Sequence, residues 1–204
     1  MSGGFSAMQN SLSQPTVFGV GYDAAPAGLI YGGGGGGLWN RLWIGGKGFG
    51  MYVATASTDR GTSTLTGGGG GGELGYAVIA NHEWIVVPFF GLGGLGYGLK
   101  VKNSSPVGLT VYPRETIPSG GEQTYTAGFF TGELGLRATR LLFSGGGGFT
   151  VGAELGYMSS LQRAAWASAS GSSSPESAEL RGAYFRVLIG GGSLSFREKH
   201  ETSD

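Results

Sequence analysis

GLIYGGGGGGLWNRLWIGGKGFGMYVA, residues 28–54, reads as two strand-like halves about a two-residue turn. Apolar and aromatic residues flank a glycine run on each side of Asn40-Arg41, and nothing in the stretch recurs at the 3.6-residue spacing of a helix. Each glycine inside a strand costs about 0.5–1 kcal/mol relative to alanine, so the run Gly32–Gly37 costs roughly 3–6 kcal/mol in total. A fold that keeps such a run must draw something from it, and the same holds for Gly67–Gly72, Gly145–Gly148, Gly190–Gly192 and the alternating Gly94, Gly96 and Gly98. A pyrophosphate-binding loop would need a following helix and, in the Walker form, a Lys-Ser/Thr pair, which these runs lack. Glycine also lets a backbone or a bulky side chain approach closely, and that is the use predicted here.

Working outward, apolar alternation between turn residues gives about eight strands: Thr16 to Tyr22, Gly28 to Trp39, Leu42 to Ala54, Leu65 to Ala80, Trp84 to Val101, Tyr125 to Arg137, Leu141 to Tyr157 and Leu180 to Phe196. The connections alternate in length. Asn40-Arg41, Asn81-His82-Glu83 and Ala138-Thr139-Arg140 are tight, whereas Ser57 to Ser63, Lys102 to Thr124 and Met158 to Ala178 are long and polar. Short turns at one end and long loops at the other predict an all-β fold, an antiparallel up-and-down barrel in one domain spanning residues 16–196. Residues 197–204 form a polar tail. In residues 1–15, Phe5, Met8 and Leu12 are spaced to share one helical face, which suggests a short helix that plugs or caps the barrel; the competing reading is a frayed polar terminus. Met1 to Pro15 has neither the basic nor the apolar region of a secretory signal, so an exported chain would already have lost its signal.

Composition narrows the function. Charged residues are 13% of the 204 and glycine supplies 45 positions, yet the chain is 40% hydrophobic and 12% aromatic, which argues against disorder. A formal net charge of zero offers no field to a polyanion, so nucleic acid is not an expected partner. The absence of cysteine removes thiolate chemistry and cysteine metal sites. No apolar stretch approaches the roughly 20 residues of a membrane helix.

The faces of the strands carry the site prediction. In Leu141 to Tyr157 the odd positions are mostly apolar, and the even ones are glycine, Ser144, Thr150 and Glu154. Arg186 shares a face with glycines and Tyr184, opposite Phe185, Val187 and Ile189. A polar face made of glycine and isolated charges suits a narrow lumen, where small residues leave room for a few ions that pair with one another. Lys47, Glu73, Glu133, Arg137, Glu154 and Arg186 are the predicted interior set; the competing reading makes some of them ordinary solvated strand charges. Three acids recur in one frame, Gly72-Glu73-Leu74-Gly75-Tyr76, Gly132-Glu133-Leu134-Gly135-Leu136 and Ala153-Glu154-Leu155-Gly156-Tyr157, which marks them as architectural. Trp39, Trp43, Trp84, Tyr52 and Tyr97 are the predicted aromatic girdle: from Trp43 to Tyr52 a strand tilted near 40° rises roughly 23 Å, against an apolar band of roughly 25 Å in membrane barrels.

These features, with the ending Gly191-Gly192-Ser193-Leu194-Ser195-Phe196, resemble the small outer-membrane barrels of the OmpA/OmpX type. Gly191, Leu194 and Phe196 match that family's assembly signal of glycine, apolar residue and aromatic, although Phe196 is followed by a tail and the glycine runs depart from the pattern. The resemblance implies a bacterial outer-membrane location, membrane lipid as partner, and a structural, adhesive or narrow-pore role without catalysis or cofactor. A weakly apolar glycine stripe toward lipid further predicts that the N-terminal segment or a second copy of the chain covers it. The alternatives are a soluble barrel that binds a small apolar ligand and an outer-membrane lipid-modifying enzyme. The enzyme needs a His-centred constellation, and His82 in a turn and His200 in the tail are not placed with a serine and an acid.

Overall fold

The computed structural model describes residues 2–9, 27–81, 83–111, 115–142, 148–168, 173–178 and 180–192. Every regular element among them is a strand: β1 Ser2–Gln9, β2 Ala27–Trp39, β3 Leu42–Thr58, β4 Gly61–Tyr76, β5 Ile79–Ala80, β6 Trp84–Asn103, β7 Leu109–Val111, β8 Glu115–Ile117, β9 Glu122–Leu141, β10 Gly148–Ser160, β11 Ala164–Ser168, β12 Ser173–Ala178 and β13 Arg181–Gly192. Antiparallel ladders run β1–β2–β3–β4–β6–β9–β10–β13 and return from β13 to β1, so the sheet is an up-and-down β-barrel. Closure pairs the backbone groups that an open sheet would leave at its edges.

The tight turn at residues 40–41 forms as its sequence requires. Asn40 and Arg41 take φ of 46° and 69°, the two positive values of a type I′ turn, whose twist matches that of the flanking strands. At the next turn the Asn81 side-chain Oδ1 accepts the backbone N–H groups of Glu83 (3.0 Å) and Trp84 (2.7 Å), an Asx turn built from the residue type that favours it. β10 and β11 follow one another along β9, so the loop-end wall extends past the main ring.

Three sequence expectations change. The long loop predicted from Ser57 to Ser63 is mostly strand: β3 and β4 stay paired out to Thr58 and Gly61, and the connection is Asp59-Arg60. Ala138-Thr139-Arg140 is strand: it continues the β9 ladder against Val86, Ile85 and Trp84, having no glycine, asparagine or proline to turn on. Residues 2–9 are a wall strand between β13 and β2, where the open ring needs backbone partners. They neither form the predicted helix with Phe5 and Met8 on one face nor lie over the glycine stripe. The strand predicted at Thr16 to Tyr22 and the residue Leu12 fall outside the described residues, as do Ser144, Leu194, Phe196 and the 197–204 tail.

The lumen is filled in three layers. Ala77, Val87 and Phe89 pack with Trp43 and Ile85 at the turn end. Charged residues follow. At the loop end lies a larger apolar cluster that includes Met51, Leu95, Tyr97, Phe129, Met158 and Trp166. Room for these inward side chains comes from glycine: a Cβ on Gly36 would stand 2.7 Å from the Trp43 ring, and one on Gly34 would stand 2.9 Å from the Lys47 Cβ.

Candidate functional site

The middle layer of the lumen is a site because its six charged residues come from five different strands and meet in one place. Alternation along β3, β4, β9, β10 and β13 turns Lys47, Glu73, Glu133, Arg137, Glu154 and Arg186 inward, the whole set expected from the sequence. Three cations face three carboxylates, so the layer is formally neutral.

Glu154 is the hub and is 1% exposed. Its neighbours across the ladder are Arg137 on one side and Arg186 on the other. Arg137 donates to it from Nε (2.8 Å) and Nη2 (2.5 Å), and Arg186 donates from Nη1 (3.0 Å). Arg137 also grips Glu73 with both ends of its fork, Nη1 to Oε1 at 2.6 Å and Nη2 to Oε2 at 2.9 Å, the bidentate geometry that guanidinium and carboxylate share. Lys47 comes from the far side of the barrel. Its Nζ stands 2.5 Å from Glu133, 3.3 Å from Glu154 and 3.5 Å from Glu73, so one ammonium ties β3 to β4, β9 and β10.

Aromatic side chains complete the shell. Trp43 Nε1 donates to Glu73 at 3.0 Å, and the Arg137 guanidinium lies 5.3 Å from the Trp43 ring. The Tyr184 hydroxyl donates to Glu133 and to Glu154, and Arg186 lies 4.3 Å from the Tyr184 ring. Lys47 sits 4.8 Å from the Phe89 ring. Each cation is therefore held by carboxylates at its rim and by a ring at its face, which offsets the desolvation that burial imposes.

Two members of the predicted girdle belong to this interior. Trp43 shares its parity with Lys47, two steps of two along β3, and so faces the lumen. Tyr97 is 3% exposed and packs edge-on to Phe129 in the apolar layer. Trp39, Tyr52 and Trp84 do face outward. The predicted interior set holds charged residues alone and so leaves out Trp43 and Tyr184, although the parity that selects Lys47 and Arg186 selects them too. Of the predicted assembly-signal residues, Gly191 lies in β13 opposite Phe149.

The layer can brace and seal. Every carboxylate is engaged by a cation, and among the described residues no group of His, Asp and Glu is arranged to hold a metal ion. Beside Lys47, Thr131 and Glu133 is a cavity of about 10 Å³, the space of a single water. Fold and site together define a closed antiparallel β-barrel with an ionic layer sealed between two apolar ones. Comparison with protein-family models and with curated protein sequences finds no match.

Proposed function

We propose that the chain is a small bacterial outer-membrane barrel with a structural or adhesive role. The observation that carries this reading is the inversion of the wall: charges are drawn inside while bulky apolar residues face out. Phe130, Leu134, Leu136, Leu155, Tyr157 and Phe185 are all at least 47% exposed. A soluble domain rarely presents so continuous an apolar surface. Along β6 the outward positions from Pro88 to Gly98 carry no charge, and charge returns at Lys100 and Lys102. Ten residues of tilted strand rise roughly 25 Å, the height of the apolar band in membrane barrels. Trp39 and Tyr76 both flank Leu42 in the ladder and, with Trp84, form an outward aromatic group at the turn end; Tyr31 and Tyr52 lie farther toward the loops. A filled lumen supports bracing or adhesion over conduction.

The test is reconstitution into liposomes containing brominated lipid. Quenching of Trp39 and Trp84 fluorescence, heat-modifiable gel mobility and no conductance steps in a planar bilayer are the expected results. A freely soluble β-rich monomer that ignores lipid overturns the membrane reading, and regular unit conductance overturns the sealed lumen.

A further inference from the structure

Above the ionic layer the lumen is closed by a piece of chain that joins no barrel ladder. β7 and β8 form a separate two-stranded sheet. Their attachment centres on Asn103, the last residue of β6, which is 0% exposed. Its Nδ2 donates to the carbonyls of Val107 (2.9 Å), Ile117 (2.9 Å) and Pro118 (3.2 Å), and its Oδ1 accepts from the Ser105 N–H at 2.9 Å. Its backbone N–H donates to Gly121 at 2.9 Å, and its carbonyl accepts from Gly120, whose φ of 72° lets the chain return. One side chain thus pins both ends of the excursion between β6 and β9.

The pinned hairpin hangs inward. Leu109 and Ile117 are 6% and 3% exposed and belong to the loop-end apolar cluster, in company with Tyr97 and Phe129. Within that cluster the Tyr97 hydroxyl is buried and has no hydrogen-bond partner among the described residues. A buried hydroxyl without a partner forfeits the water it left behind, and a native core seldom tolerates one without reason. An apolar cluster, a side-chain stopper pinned at Asn103 and an unsatisfied polar atom inside are the parts of a gated binding site.

We propose that the β7–β8 hairpin is a lid over a latent site in the upper lumen. The site takes a small molecule with an apolar body and one hydrogen-bonding group, which displaces Leu109 and Ile117 and pairs with the Tyr97 hydroxyl. Opening breaks the Asn103 contacts and leaves the barrel ladders intact, because the hairpin shares none of them. The inference is independent of whether the barrel resides in a membrane.

The chain has no cysteine, so Ala127→Cys supplies a single thiol, buried and directly opposite Tyr97 in the β6–β9 ladder. Its rate of reaction with a methanethiosulfonate reagent reads the lid. Asn103→Ala is expected to raise that rate about tenfold or more, since several buried hydrogen bonds are lost together. The Leu109→Ser/Ile117→Ser pair is expected to do the same without touching the pin. With the lid released, n-decanol is expected to slow labelling, and Tyr97→Phe to raise the decanol concentration required about three- to tenfold in the same detergent. Unchanged labelling in both lid variants, with heat-modifiable mobility retained, overturns the lid. Absence of decanol protection, or protection indifferent to Tyr97→Phe, overturns the site.

Discussion

The two walls of this barrel solve the same packing problem in opposite ways. On β2, β3, β4 and the middle of β6 the outer surface is nearly bare: Gly33, Gly48, Gly70 and Gly94 follow one another in a single row across four strands. The row ends at Phe130 on β9, where the other wall begins, and β9, β10 and β13 carry Leu134, Leu155, Phe185 and Ile189 outward. An eight-stranded barrel has little interior, and side chains filling it must lie flat against something. The glycine wall provides that surface for Trp43, Lys47 and Phe49, and β9 and β10 supply Glu133 and Glu154, two of the three carboxylates that Lys47 meets. Bulk inside on one wall and bulk outside on the other are thus parts of one arrangement.

The most damaging way to break it is to cut the tie between the walls. Glu154→Ala leaves Lys47, Arg137 and Arg186 without their common acceptor, and is expected to cost about 3–5 kcal/mol in denaturant unfolding from liposomes, the usual penalty for orphaning a buried charge. The bulky wall comes next: Leu134→Arg puts a charge on the apolar exterior and is expected to cost about 2–4 kcal/mol if that position faces the bilayer centre. The same substitution without effect on unfolding would remove lipid from the outside.

The glycine wall gives the sharpest contrast because neighbouring residues have opposite expectations. Gly36→Ala drives a methyl into the Trp43 ring and is expected to lose about 1–3 kcal/mol through overpacking. At Gly35, one residue away, an added Cβ meets nothing within 4 Å, so Gly35→Ala is expected to gain about 0.4–1 kcal/mol from reduced unfolded-state freedom. The reverse pattern, a gain at Gly36 and a loss at Gly35, would show that the alternation along β2 has been misassigned. A loss at Gly35 as large as that at Gly36 would instead reveal a neighbour seated on the outer glycine surface.

The ionic layer was legible because a strand places residues i and i+2 on one face, so Glu73, Glu133 and Glu154 in a repeated frame declare one common side. The same rule carried Trp43 and Tyr184 into the lumen, but the aromatic spacing from Trp43 to Tyr52 drew attention to a girdle. Nine steps is an odd number, so those two residues cannot share a face of an unbroken strand. Tyr97 was misassigned for a related reason: an aromatic in a glycine-rich strand suits lipid and lumen equally until the face is fixed by Val87 and Phe89. Asn103 left no trace in the pattern, since its partners at Val107, Ile117 and Pro118 depend on how a long loop returns.

By itself the sequence determined the all-β class, the antiparallel order of most strands, the turn at Asn40-Arg41 and the inward direction of all six charges. These follow from neighbours one to three residues apart, through alternation and turn chemistry. Only the tertiary structure decided that Ser2–Gln9 closes the ring, that Lys47 spans the lumen to three carboxylates, and that Leu109 and Ile117 seal the upper end. Those contacts join residues far apart in the chain, and they exist only once closure fixes which strands face each other across the barrel.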